Sequence, residues 1–72
     1  MLQELGRRIR EERSSKGWTQ EALADKASID RSYIGGVERG ERNLTFNLLC
    51  QICMALQCDV AALTRDLPRR SR

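Results

Sequence analysis

The stretch Gly17–Asn43, "GWTQEALADKASIDRSYIGGVERGERN", holds two short helical patterns three residues apart. Thr19 is a natural N-cap for "QEALADKA", with Glu21 in the first turn and Ala22, Leu23 and Ala27 as small or apolar inward positions. "SID" makes the turn. Asp30 then caps a second pattern that runs to Arg39 and is ended by Gly40 as a left-handed stop. Inside this second helix sit Gly35 and Gly36, where each residue costs about 1 kcal/mol relative to alanine. At about 100° per residue, Ile34 and Val37 fall on the side of the Asp30 cap and are expected to face a core. The opposite side carries Arg31, Ser32, Gly35, Gly36 and Arg39. Either the two glycines are tolerated drift on a weak helix, or they let its backbone approach another object closely while the arginines grip. The major groove of B-DNA, about 12 Å wide, admits such a helix.

Working outward, Leu2, Leu5 and Ile9 recur at helical spacing from Leu2 to about Ser15, and Lys16 and Gly17 close this first helix. After a polar loop, "GERNL", Thr45 can cap the most apolar helix, about Phe46 to Leu56. There Phe46, Leu49, Cys50 and Cys53 are expected on one buried face. Asp59 can cap a last helix, "VAALTRDL", which Pro68 stops. No segment alternates like a strand. The expected fold is all-α, a bundle of five short helices forming one domain over residues 1–67, with residues 68–72 as a basic tail.

The totals narrow the chemistry. A chain of 72 residues buries only about 60% of the surface its unfolded form exposes. Trp18, Tyr33 and Phe46 are its three aromatic residues, so aliphatic side chains and cysteines must fill the core. Cys50, Cys53 and Cys58 are odd in number and histidine is absent, which argues against a disulfide framework and a four-ligand zinc site. Core packing is the expectation for them, with redox sensing and metal binding as alternatives. No stretch approaches the roughly 20 apolar residues of a membrane span, and "MLQELGRR" lacks the apolar core of a signal peptide, so a cytoplasmic protein is expected. Arginine supplies 11 of the 13 cations set against 10 acids. Its planar fork suits bidentate phosphate and base recognition, although solvated arginine-rich helix faces are also common.

A helix, a three-residue turn and a helix is the spacing of a helix-turn-helix. Over about residues 5 to 67, and above all in "GWTQEALADKASIDRSYIGGVERGERN", the chain resembles the phage repressor and Cro-type regulators, also called xenobiotic-response-element-type, whose fold is the lambda repressor-like DNA-binding domain. Within that family "DRSYIGGVERGERN" is most similar to the controller proteins of restriction-modification systems. The resemblance implies that Gln20 bonds a DNA phosphate and braces the recognition helix, with Thr19 adding a hydroxyl contact. It implies that Arg31 and Ser32 begin the base-reading segment, where an arginine can bond guanine O6 and N7 together. Gly36 stands where family members often place a base-reading side chain, which leaves more of the specificity to DNA shape. Arg39, Arg42, Asn43 and Thr45 match the region that grips the sugar-phosphate backbone, with a solvated turn as the alternative for Arg42 and Asn43. Tyr33 is as well suited to core packing as to base contact. Arg13 and Glu38 match an ion pair that ties the first helix to the recognition helix.

The resemblance also implies a homodimer on a pseudo-palindromic duplex, with successive major grooves about 34 Å apart. Met54, Val60, Leu63 and Leu67, beside Ala61 and Ala62, are the expected dimer surface, or else cover the monomer core. Arg65, Arg69, Arg70 and Arg72 could add phosphate attraction or merely solubilise a tail. The expectation is a DNA-binding transcription regulator without enzymatic activity, cofactor or small-molecule ligand. An antitoxin-type or other protein-interaction module, with DNA binding secondary, is the alternative.

Overall fold

The computed structural model describes residues 1–68, and among them five helices and no strand. They are α1 (Leu2–Ser15), α2 (Gln20–Ala27), α3 (Arg31–Glu38), α4 (Phe46–Leu56) and α5 (Val60–Thr64). Three of them begin where a side chain can satisfy an end amide. Thr19 Oγ1 accepts from the Ala22 N–H at 3.0 Å, Asp30 Oδ2 from Ser32 N–H at 3.1 Å, and Thr45 Oγ1 from Leu48 N–H at 3.1 Å. The turn between α2 and α3 passes through Ser28 in the left-handed region, at φ 59°. The last helix is shorter than the sequence suggests. It stops at Thr64 because Arg65 turns extended and Asp66 takes φ 65°, and Asp59 makes no side-chain cap bond.

The core is aliphatic. Leu5 and Ile9 of α1, Leu23 and Ala24 of α2, Ile34 and Val37 of α3, Leu49, Ile52, Cys53 and Leu56 of α4, and Leu63 of α5 close it. Asp30 itself is exposed, unlike Ile34 and Val37. Helix α1 packs on α3 and α5, α2 on α3 and α4, and α4 on α5. Phe46 departs from expectation. It is 68% exposed, because it stands at the first position of α4 beside a loop whose Glu41, Arg42 and Asn43 are themselves exposed and leave it little to pack on. Leu63 departs the other way at 1% exposure, so it belongs to the core and not to a dimer surface. The reason is a clasp from α1: Arg8 Nη1 donates to the Leu63 carbonyl at 3.2 Å and the Arg65 carbonyl at 2.6 Å, while Glu4 holds Arg8 Nε at 2.9 Å.

Helix α1 lies against the end of α3 with backbone touching backbone. A Cβ on Gly6 would stand 2.4 Å from the Val37 carbonyl oxygen and 2.6 Å from that of Glu38, closer than atoms can pack. One turn away, Gly40 adopts φ 76°, and a Cβ there would meet Gln3 Cα at 2.8 Å. Gly40 ends α3 in a Schellman arrangement, with its own amide on the Val37 carbonyl at 3.0 Å and that of Glu41 on the Gly36 carbonyl at 2.9 Å.

Cys53 is buried, and that burial pushes its thiol up to about 12, while Cys58 is raised for the same reason. Both shifts oppose thiolate formation, the reverse of what a sensor cysteine needs. Among the described residues there is no grouping of His, Cys, Asp and Glu able to hold a metal ion, and no helix long and apolar enough to cross a membrane.

Two outcomes follow for stability and reactivity. Gly6→Ala should destabilise the fold by about 3 kcal/mol, since overpacking at a backbone contact cannot be relieved by a rotamer. For a domain this size that is a fall of roughly 10–20 °C in calorimetry, despite alanine being the better helix former. In native protein at pH 8, a maleimide should label the half-buried Cys50 well before Cys53, whose labelling should wait for unfolding; equal rates would contradict the packing described for α4.

Candidate nucleic-acid interface

The second and third helices carry most of the candidate residues, and a buried carboxylate holds these helices to the first. Glu38, 4% exposed, is the only buried charged residue among the described ones. Arg13 Nε donates to its Oε2 at 2.7 Å and Arg13 Nη2 to its Oε1 at 3.0 Å. Gln20 Nε2 donates to Oε1 as well, also at 3.0 Å. Arg13 Nη1 turns the other way and binds the Trp18 carbonyl at 2.7 Å, fixing the link into α2. One acid therefore receives bonds from α1 and α2 while belonging to α3. Gln20 is set beneath the recognition helix with its amide nitrogen committed to Glu38, and its oxygen remains an acceptor.

At the start of α3, Arg31 is exposed and makes no hydrogen bond or ion pair among the described residues. Ser32 is less free. Its hydroxyl donates to Asp30 Oδ2, so what it offers outward is acceptor capacity. The hydroxyl and amide of Ser32 hold the Asp30 carboxyl below the usual carboxylate range, so the cap is present at neutral pH and is lost as pH falls through that lowered value.

The glycines are not the bare face that helical periodicity suggests. Gly35 and Gly36 are both buried, and this chain's own side chains cover them. A Cβ at Gly35 would lie 3.2 Å from Arg39 Nη1 and 3.4 Å from Gln20 Oε1, and one at Gly36 would lie 2.6 Å from Arg42 Cγ. Helical projection counts only neighbours within the helix, whereas α2 and the loop after α3 both return to this side. Arg39 is exposed and its Nε is bonded to Glu41 Oε1 at 2.9 Å, a surface pair of small energetic weight. Tyr33 is half-buried, with its hydroxyl donating to the Asn43 carbonyl at 2.5 Å and the Arg42 guanidinium 5.5 Å from its ring centroid.

The structure thus brings together Gln20, Gly35 and Arg39 in one group, and Tyr33, Gly36, Arg42 and Asn43 in another. Thr19 and Thr45 serve as caps, and Thr45 bonds α4 alone. Of the residues expected at a dimer surface, Met54 is 77% exposed, Val60 and Leu67 are half-buried, and Leu63 is excluded by its burial. Arg65 is exposed, while Arg69, Arg70 and Arg72 lie outside the described residues. Gly6 and the Gln3–Gly40 contact, which set where α3 sits, went unrecognised in the sequence. The available signal was position: Gly6 falls four residues after Leu2 and three before Ile9, on the inward stripe.

A helix-turn-helix family model matches residues 9–63. The chain belongs to the helix-turn-helix family. Among its relatives, control protein C.SmaI of Serratia marcescens is 39% identical over 59 residues, 82% of this chain and 70% of that protein. The crystal structure of the restriction-modification controller protein C.AhdI from Aeromonas hydrophila superposes with a TM-score of 0.85 at 44% identity, covering 86% of this chain and 94% of the other. The controller protein C.Esp1396I, solved as a tetramer with its natural 35 base-pair operator, matches with a TM-score of 0.80 at 40% identity over 86% of this chain and 82% of its own.

The helix-turn-helix rests on the Arg13–Glu38 pair, which yields a signed expectation. Arg13→Met alone strands the Glu38 carboxylate and should cost about 3 kcal/mol. The double variant Arg13→Met/Glu38→Leu removes the charge with its partner and should be the more stable of the two. Urea unfolding of the four proteins in the cycle checks this; additive losses would show that the pair is not coupled.

Proposed function

We propose that this chain is a homodimeric, sequence-specific DNA-binding transcription regulator, with residues 1–67 as its DNA-binding domain, that acts in the cytoplasm as the controller of a restriction-modification system. The observation that carries the DNA-reading part is Arg31: an exposed guanidinium, without a hydrogen bond or ion pair among the described residues, at the first position of a helix whose other end is locked to α1 and α2 through Glu38. A fixed helix with a free fork at its N-terminal end has the geometry that reads a guanine in the major groove. The likeness to C.SmaI, C.AhdI and C.Esp1396I supports the controller assignment, and the operator complex of the last supports duplex DNA as the partner. No step of this reading calls for a catalytic group, a cofactor or a small-molecule effector. Occupancy then follows protein concentration, as an autoregulating switch requires.

A second copy covers the exposed edge of α4. Met54 stands there exposed, Phe46 lies on the same helical row two steps of four residues back, and Val60 and Leu67 are half-buried against the core. Exposed large apolar side chains of this kind mark association surfaces.

Selection from a randomised duplex pool at two salt concentrations tests the proposal. The wild-type protein should enrich a two-fold symmetric site with half-sites about one helical turn apart. Arg31→Ala should weaken binding by about 1–3 kcal/mol, and only at sites keeping one particular base pair in each half-site. Enrichment of nothing, with binding that fades uniformly as salt rises, would mean that only electrostatic attraction is present.

A further inference from the structure

The loop after α3 folds back onto the helix it has just left. Gly40 reverses the chain at φ 76°, and the Glu41 amide reaches back to the Gly36 carbonyl at 2.9 Å. Arg42 is thereby laid over Gly36. A Cβ on Gly36 would stand 2.6 Å from Arg42 Cγ, 3.4 Å from Nε and 3.6 Å from Cδ, so the arginine stem occupies the space that a side chain at position 36 would fill. The far end of Arg42 lies 5.5 Å from the centroid of the Tyr33 ring, within cation–π range. Tyr33 also fixes the next residue of the loop through its bond to the Asn43 carbonyl.

What this arrangement leaves open is the guanidinium itself. Arg13, Arg39, Arg7 and Arg8 all bond carboxylates. Arg42 is exposed and, among the described residues, makes no hydrogen bond or ion pair. Its donors are held in place by packing alone and have no acceptor among the described residues. A long flexible cation normally loses rotamer freedom when it binds; one already seated on backbone and ring has less to lose.

We propose that Gly36 is a positioning residue for Arg42: its missing side chain is the seat that, with the Tyr33 ring as backing, holds the Arg42 guanidinium toward a DNA phosphate at the edge of the groove that α3 enters. The proposal rests on the DNA-binding function given above. It assigns the second glycine of the recognition helix a specific task, and it makes the loop, not the helix, the source of the side chain presented beside position 36.

The test is a double-mutant cycle on the duplex that the wild-type protein selects from the randomised pool. Affinities are measured across a salt series for wild type, Gly36→Ala, Arg42→Ala and the double variant, with thermal midpoints alongside. Gly36→Ala should bind about tenfold more weakly, with a salt slope reduced by about one, the signature of one lost phosphate contact. Its midpoint should be unchanged or higher, because alanine is the better helix former and Arg42 can rotate away. Arg42→Ala should show a similar loss, and the double variant should bind no more weakly than Arg42→Ala. Tyr33→Leu, which removes the backing without touching position 36, should behave like Gly36→Ala and likewise add nothing to Arg42→Ala; it decides the matter if Gly36→Ala does not fold. Losses that multiply in the double variants, or wild-type affinity and slope in Gly36→Ala, would overturn the proposal while leaving DNA binding intact. A loss confined to particular base pairs with the salt slope unchanged would overturn the phosphate assignment. Failure of the wild type to select any duplex would instead remove the DNA-binding reading on which the proposal stands.

Discussion

The Glu38 carboxylate is the constraint on which the rest of the structure depends. It is buried at the end of the recognition helix, and it accepts from Arg13 of the first helix and Gln20 of the second. An apolar contact of the same area would hold these helices together about as well, since the desolvation of a buried ion pair offsets much of its attraction. What an apolar contact lacks is direction. A bidentate guanidinium and an amide fix the carboxylate, and through it the rotation and depth of α3, in a way that interchangeable leucines do not. For a helix that must present particular atoms to a groove, that fixity matters more than the stability it brings.

Such a network can form only if the helices come close, and glycine sets the closeness. Gly6 lets α1 rest on the carbonyls of Val37 and Glu38, the latter being the backbone of the very residue that Arg13 grips. Gly40 lets the same helix pass beside the turn that ends α3. Gly36 admits Arg42. In each case the side chain is missing because another part of this protein fills its place. The helix propensity lost at Gly6 and Gly36, about 1 kcal/mol each, is set against contacts that no other residue permits.

This explains which features could be read from the sequence. The caps at Thr19, Asp30 and Thr45 and the span Phe46 to Leu56 were legible because capping and periodicity are local: side chain and amide lie within three residues of each other. The Arg13–Glu38 pair, 25 residues apart in the chain, came through family resemblance and not through spacing. Apart from the early end of α5 and the absent Asp59 cap bond, the errors concern neighbours from elsewhere in the chain. Phe46 satisfied the helical period but meets an exposed loop, and Leu63 looked available until Arg8 drew α5 inward. Gly35 and Gly36 looked bare because no periodicity argument can show that Gln20 and Arg42 lie over them.

Charge, finally, constrains how such a protein could bind DNA. Between Asp30 and Asn43 there are three arginines, Arg31, Arg39 and Arg42, and three acids, Asp30, Glu38 and Glu41, so the recognition segment carries no net positive charge. General attraction to phosphate, which grows with the number of neutralised charges, is therefore weak at this surface. Affinity must come from position. Glu38 is already satisfied by Arg13 and Gln20, Arg39 is bonded to Glu41, and Asp30 is engaged by its own cap. That leaves Arg31 and Arg42 as the guanidiniums of this segment without a hydrogen-bonded partner among the described residues, one at the start of α3 and one laid back across it. Little indiscriminate attraction at this segment would keep non-specific affinity low and so favour a high ratio of specific to non-specific binding. When competing sites vastly outnumber the correct one, that ratio decides occupancy.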